Sequence, residues 1–83
     1  MSVYRIDREE EAIREVQRYL RAVSYRQDSV PHIGVDGIFG EETREALRAF
    51  QLLFSLSPTG EADAETFSVL YREFLRVPQR GMR

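Results

Sequence analysis

Asp36-Gly-Ile-Phe-Gly-Glu-Glu-Thr43 lies near the middle of the 83-residue chain and places a tight turn directly before a helix start. The Asp-Gly pair favours a turn, because aspartate closes it with its own side chain and glycine adopts positive φ at no steric cost. Glu41 and Glu42 come next, where acidic side chains complement the positive end of a helix dipole. The segment therefore predicts a turn followed by a helix that begins at Gly40 or Glu41.

A related turn and helix start follow later in the chain. Gly60-Glu-Ala-Asp-Ala-Glu-Thr66 has the same frame as residues 37–43: a glycine, then glycine or aspartate, then threonine, at intervals of three residues. The same offset of 23 residues carries Leu47 onto Leu70. Each threonine is expected to help satisfy the free backbone groups of its first helical turn. The repeat predicts two similar turn–helix units packed side by side.

Apolar residues at helical spacing predict three helices. Their apolar faces are formed by Ile13, Val16, Leu20 and Val23, by Ala46, Leu47, Phe50 and Phe54, and by Phe67, Leu70, Tyr71, Phe74 and Leu75. Asp7 and Asp63 are the expected N-caps of the first and third helices, with the first helix over about residues 8–24. The alternation around Ile33 and Val35 allows at most a very short strand. We therefore expect an all-α fold, a small three-helix bundle with glycine-turn loops.

Length and composition fit one small domain. The chain is 42% hydrophobic and 31% charged, which is typical of a soluble globular protein with a thin core. We place the domain at residues 7–76, with flexible ends at residues 1–6 and 77–83. No apolar run approaches the ~20 residues of a membrane span, so no membrane insertion is expected. The N-terminal residues also lack the apolar segment of a signal peptide.

Several functional classes are disfavoured by the residue types present. The net charge is −2 and arginines alternate with acidic residues, which does not suit a nucleic-acid binder. There is no cysteine for thiol catalysis or a thiolate metal site. His32 is the only histidine, so a zinc site would lack a second one. We expect no catalytic residues, no metal site and no cofactor, and we interpret the chain as a non-enzyme.

Taken in order, these motifs resemble the three-helix peptidoglycan-binding domain of bacteria over about residues 12–75. The matching positions are Val16-Gln17 with Leu20, Asp36 to Thr43, Ala46, Phe50-Gln51, Thr59-Gly60, and Thr66-Phe67 with Leu70. Three features depart from the family pattern. Phe67 replaces the usual tryptophan, Ser24 replaces a common glycine, and the first loop is longer than usual.

The resemblance implies a non-catalytic module that binds peptidoglycan, through either its glycan strand or its stem peptide. It implies a place in the cell wall or envelope of a bacterium, where the module targets or anchors a wall-associated protein. A monomer is expected, with a wall hydrolase or another envelope domain in the parent chain as partner. A shallow groove beside the loop before the second helix and the third helix is the expected binding surface. The alternative is a protein–protein interaction module of a spore, phage-tail or envelope assembly, without wall binding.

Six residues are candidates for contact with the ligand, and each also has a structural interpretation. They are Gln17, Tyr25, Asp36, Phe39, Arg44 and Gln51. The two glutamine amides suit a glycan or peptide, or else loop backbone groups. The aspartate can bind ligand or close its turn, and the phenylalanine can face ligand or fill the space between helices. The tyrosine can be a platform for a sugar or lie partly buried at a helix end. The arginine can bind a peptide carboxylate or remain solvated.

Overall fold

The computed structural model describes the backbone of residues 2–78 and the side chains of residues 9–78. In this part of the chain there are three helices and no strand: α1 (Ser2–Ser24), α2 (Glu41–Leu53) and α3 (Ala64–Leu75). The predicted all-α fold is confirmed, and the segment around Ile33 and Val35 forms no strand. Among the described residues, none of the helices combines the length and apolarity needed to cross a membrane.

The second and third helices begin where the sequence predicts, and the first does not. Gly40 is the N-cap of α2, and the Asp63 carboxylate caps α3 by accepting a hydrogen bond from the Thr66 amide at 2.9 Å. The N-cap predicted at Asp7 is wrong, because α1 already begins at Ser2. A capping residue favours a helix start without forcing one, and residues 2–6 contain neither glycine nor proline to break the helix. Whether residues 1–6 and 77–83 are flexible stays a prediction, and Met1 and residues 79–83 lie outside the described residues.

The core forms where α1 packs against both other helices. Its buried apolar members are Val16, Tyr19, Leu20, Val23, Val30, Ile33, Ala46, Leu47, Phe50 and Leu70. The predicted faces of α1 and α2 supply most of them. Val30 and Ile33 come from the long first loop, so this loop is anchored by two apolar side chains rather than lying free on the surface. Each such burial contributes about 1.5–3 kcal/mol relative to exposure.

The apolar face of α3 is narrower than predicted. Leu70 is buried, but Tyr71 is 44% and Leu75 60% exposed. The Tyr19 ring of α1 packs against Phe74 with ring centroids 4.4 Å apart. Since α3 packs chiefly against α1, one seam of its surface is covered, and residues one position beyond that seam remain in solvent.

Candidate functional site

A buried glutamine of α1 holds the first glycine turn. Gln17 is 1% exposed, and its Oε1 accepts hydrogen bonds from the backbone amides of Asp36 at 3.0 Å and Gly37 at 2.9 Å. Its Nε2 donates to Asp36 Oδ1, to the Ile38 carbonyl and to Thr43 Oγ1, each at 3.0 Å. We call these five residues the first turn unit. Both ends of the amide are used inside the protein, so Gln17 fixes the loop that leads into α2.

A glutamine of α2 holds the second glycine turn in the same way. Gln51 is fully buried, and its Oε1 accepts from the Gly60 amide at 2.9 Å. Its Nε2 donates to Thr59 Oγ1 at 3.1 Å, to the Glu61 carbonyl at 3.0 Å and to Thr66 Oγ1 at 2.9 Å. These residues form the second turn unit. Each glutamine therefore connects the helix that carries it to the first turn of the next helix.

The threonines of the two turn units act differently from the prediction. They were expected to help satisfy backbone groups of the first helical turn, but in both units the hydroxyl oxygen accepts from the glutamine amide. The amide of Thr66 is satisfied instead by the Asp63 cap. The threonine is thus needed for a contact between helices, which explains why it recurs at the same place in the repeat.

Asp36 closes its own turn. Its Oδ1 accepts from the Ile38 amide and from Gln17 Nε2, both at 3.0 Å. These hydrogen bonds, the Ile38 amide first and the Gln17 amide second, hold the pKa of the Asp36 carboxyl below its ordinary value. The side chain remains ionised at neutral pH, and it is exposed at the edge of the first turn unit.

A shallow apolar groove lies between α1, the loop before α2 and the start of α3. It has a volume of about 270 Å³ and is lined by Ala12, Ile13, Glu15, Val16, Phe39, Ala62 and Phe67. All of its lining residues are apolar except Glu15. The groove opens beside the first turn unit, since Phe39 directly follows Ile38, and its far wall is the turn that enters α3. It occupies the region beside the loop and third helix that the resemblance indicated.

An arginine–glutamate pair borders the groove. The Arg44 guanidinium lies over the Phe39 ring, 5.1 Å from its centroid, and donates to Glu61 Oε2 at 2.7 Å. Phe39 lines the groove and Glu61 precedes the lining residue Ala62, so the pair sits at its edge. The Arg44 side chain is 39% exposed and that of Glu61 61% exposed. Both charges are therefore partly exposed beside the groove.

On the α1 side, Glu15 is the charged lining residue. Its Oε2 accepts from the Tyr19 hydroxyl at 3.1 Å. Burial, and secondly this hydrogen bond, raise the pKa of Tyr19, so the tyrosine stays a neutral donor. The groove thus has an acidic group on α1 and a basic group on α2.

Tyr25 lies apart from the groove lining. It is 66% exposed, just beyond the end of α1, and its ring meets His32 edge-on with centroids 4.7 Å apart. His32 Nδ1 is 2.9 Å from Ser24 Oγ. Of the six candidate residues, the structure brings Phe39 and Arg44 together at the groove. Gln17 and Asp36 lie in the first turn unit and Gln51 in the second.

Three groove residues were not singled out from the sequence: Ala12, Glu15 and Ala62. Alanine has no functional group, and Glu15 is one of several glutamates along α1. A weak indication existed, because Ala12 precedes Val16 by one helical turn and therefore shares its face. Within residues 9–78, no group of three or more histidine, aspartate or glutamate side chains is placed to hold a metal ion.

Comparison with known proteins gives one family match. The sequence model of the family described as "Putative peptidoglycan binding domain" matches residues 9–70, most of the chain. No curated protein and no solved structure matches the chain significantly. The matched residues include both turn units and every residue that lines the groove. The chain therefore belongs to the family of peptidoglycan-binding domains.

Proposed function

We propose that this chain is a non-catalytic module that binds peptidoglycan in its groove and thereby holds a wall-associated protein on the bacterial cell wall or envelope. The observation that carries the proposal is the groove itself. It is built by residues inside the family match, it is fixed on one side by the first turn unit, and it has accessible charges at its edge. Mostly preformed, largely apolar concavities with a few polar groups are the usual form of ligand sites.

The chemistry of the groove supports binding without catalysis. A glycosidase needs two carboxyl groups about 5–9.5 Å apart that flank the bond to be cleaved. Glu15 lines the groove but accepts a hydrogen bond from Tyr19, and Glu61 is paired with Arg44. A zinc amidase needs histidine or cysteine ligands, and the sequence has one histidine and no cysteine. Neither a hydrolytic pair nor a metal-activated water is supported by these residues.

The six candidate residues have two kinds of role in this proposal. Phe39 and Arg44 contact the ligand directly, because they form a wall and an edge of the groove. Gln17, Asp36 and Gln51 position the loops that carry those contacts. Tyr25 is exposed just beyond the end of α1, apart from the groove lining, and would offer a separate surface.

The proposed targeting role is consistent with the small size of the groove. A shallow groove of this volume supports only modest affinity, because binding must offset the lost freedom of a flexible, polar ligand. The repeating wall polymer and a second wall-acting domain in the parent chain, such as a hydrolase, would raise the effective affinity by avidity. We therefore propose that the module acts as a monomer and increases the residence of its parent protein on the wall.

A pull-down with insoluble peptidoglycan sacculi tests the proposed function. The purified chain is incubated with sacculi at low and physiological salt, beside an inert domain of similar charge. The proposal predicts retention at both salt concentrations and release by soluble wall fragments. Absence of retention at both concentrations would contradict wall binding by this chain and would favour the protein–protein interaction module instead.

A further inference from the structure

From the groove and its two charged borders, we infer that this site recognises the stem peptide of peptidoglycan, with Glu15 binding an amine of the peptide and Arg44 a carboxylate. The inference rests on the proposed function and deepens it. A stem peptide carries small apolar side chains, free carboxylates and, on its diamino acid, an amine. A glycan strand carries hydroxyl and acetamido groups instead.

The lining suits small apolar side chains better than sugar rings. Sugars need several directed hydrogen-bond partners, and Glu15 is the only lining residue with a polar side chain. They also favour an open aromatic face. The Phe39 ring is covered by Arg44, and the Phe67 ring packs against Tyr19 with centroids 5.8 Å apart. Alanine methyl groups, in contrast, need only an apolar surface of about this size.

Glu15 is placed to take a cation. It is half-buried in the groove wall, and among the described side chains of residues 9–78 it has no arginine within ion-pair distance. Its neighbours on α1 differ, since Glu10 pairs with Arg14 and Glu11 with Arg18. The Tyr19 hydroxyl occupies only one of its carboxylate oxygens. An ammonium group in the groove would meet a fixed, partly desolvated carboxylate.

Arg44 is placed to take a carboxylate. The Phe39 ring holds its guanidinium plane, and only Nη1 donates to Glu61. A guanidinium has five N–H donors, so a ligand carboxylate can be bound beside Glu61 or in exchange for it. Exchange costs little, because exposed ion pairs contribute little net free energy. The negative charge of Glu61 therefore competes with the ligand for Arg44.

The test is an NMR titration of the ¹⁵N-labelled chain with four probes. These are a synthetic stem peptide with free amine and free terminal carboxylate, the same peptide acetylated at the amine, the same peptide amidated at the carboxylate, and a tetramer of N-acetylglucosamine. The inference predicts shifts at Ile13, Val16 and Phe39 with the free peptide, and none there with the sugar. Each blocked peptide should bind about threefold or more weakly than the free one.

Variants connect each ligand charge to one residue. Glu15→Gln should lower the affinity for the free peptide about threefold and leave the affinity for the acetylated peptide unchanged. Arg44→Gln should lower the affinity for the free peptide and leave that for the amidated peptide unchanged. Glu61→Gln should raise the affinity for the free peptide about twofold, since the competing carboxylate is gone. Asp28→Asn and Arg72→Gln, exposed charges that do not line the groove, are the controls and should change nothing.

Equal weakening of all peptides by Glu15→Gln or Arg44→Gln would show that these residues only stabilise the groove, and would overturn the inference. Groove shifts with the sugar and not with the peptide would overturn it as well. If sacculi retain the chain while the stem peptide does not bind, the inference fails and the proposed function stands. If sacculi do not retain the chain and the peptide does not bind, both fail.

Discussion

The two turn units share one hydrogen-bond scheme but differ in charge, burial and spacing. The glutamine and the glycine are 20 residues apart in the first unit and 9 apart in the second. The position before the glycine is a charged Asp36 in one and a neutral Thr59 in the other. Gly60 is buried, whereas Gly37 is half-buried. The scheme therefore requires the amide, the glycine and the threonine, and tolerates change around them.

This difference suggests that the second unit contributes mainly to stability and the first mainly to the candidate binding surface. The second unit connects α2 to α3 through the fully buried Gln51 and the buried Gly60, with Thr59 and Glu61 at the surface. The first unit has Asp36 and Ile38 at the surface and is continuous with the groove through Phe39. We expect changes in the second unit to affect folding most, and changes in the first to affect the groove at a smaller cost in stability.

The largest expected difference comes from removing the two glutamines. Gln51→Ala should lower the free energy of unfolding by about 3–4 kcal/mol and Gln17→Ala by about 2–3 kcal/mol, because buried donors and acceptors lose their partners in both variants. The loss is smaller for Gln17→Ala because water can reach the exposed groups of the first turn. Urea denaturation measures both. Gln27→Ala, with no described side-chain hydrogen bond, is the control and should stay within about 0.5 kcal/mol. Equal losses at residues 17 and 51 would contradict the distinction between the units.

The second largest expected loss of stability comes from replacing the two turn glycines with alanine. Gly37 and Gly60 have φ values of 78° and 76°, so alanine is strained at either position. A Cβ would meet a side chain at 2.9 Å at either position, Arg48 at residue 60 and Glu10 at residue 37. Gly60 is buried and Gly37 half-buried, so the side chain has less room to move aside at residue 60. We expect a loss of about 2 kcal/mol for Gly60→Ala and about 1 kcal/mol for Gly37→Ala by thermal denaturation.

Gly34→Ala is the control for this pair, because a Cβ there would meet nothing within 4 Å. It should be neutral or slightly stabilising. A loss at Gly34 as large as that at Gly60 would show that alanine destabilises these loops for reasons other than positive φ and packing.

The helix starts and the repeat show how much the sequence alone could establish. The Asp63 cap and the start of α2 were predicted because a cap and a glycine turn are local features. The start of α1 was not, since residues 2–6 have no helix breaker and an internal aspartate does not interrupt a helix. The equivalence of Gln17 and Gln51 was also hidden, because the longer first loop removes both from the 23-residue repeat.

The candidate site was less predictable than the fold. Phe39 and Arg44 were candidates because one is an aromatic in a turn and the other a charge on a helix, and their contact with ligand stays a prediction. Whether the glutamine amides bind a ligand or the loop backbone depends on whether their side chains are buried. A sequence pattern does not specify the burial of a single polar residue that stands next to apolar residues. The groove further depends on the small size of Ala12 and Ala62, and only the packed structure shows a space left by a missing side chain.

Acid should affect the first turn through the Asp36 carboxyl. The pKa of Asp36 is held below its ordinary value of 3.8, so its contribution to stability is present above that value and is lost as pH falls through its lower folded pKa. NMR spectra recorded as pH is lowered should show the Ile38 amide moving with a midpoint below 3.8. Asp36→Asn should remove this transition and keep that of the Thr66 amide, which is capped by Asp63, a carboxyl whose pKa is also lowered. Loss of both transitions in Asp36→Asn, or of neither, would contradict the prediction.

The smallest effect concerns the helix caps. Asp63 caps α3, while Gly40 leaves α2 without a side-chain cap. Gly40 has φ −114° and space for a Cβ, so Gly40→Asp should add a cap and stabilise the domain by about 0.3–0.5 kcal/mol. The midpoint of urea denaturation measures this. A destabilised variant would indicate that Gly40 is required for the path of the loop rather than tolerated as a weak cap.

The most direct test of wall binding through the groove is sacculi co-sedimentation of Ala12→Phe beside Ser68→Phe. Ala12 is exposed yet lines the groove, so a phenyl ring there occupies it, whereas Ser68 lies on the exposed face of α3 away from the lining. Both variants add the same ring at an exposed helical position, and urea denaturation verifies that each remains folded. We predict that Ala12→Phe loses about tenfold or more in retention while Ser68→Phe matches the unmodified chain. Equal retention of both variants would contradict binding in the groove.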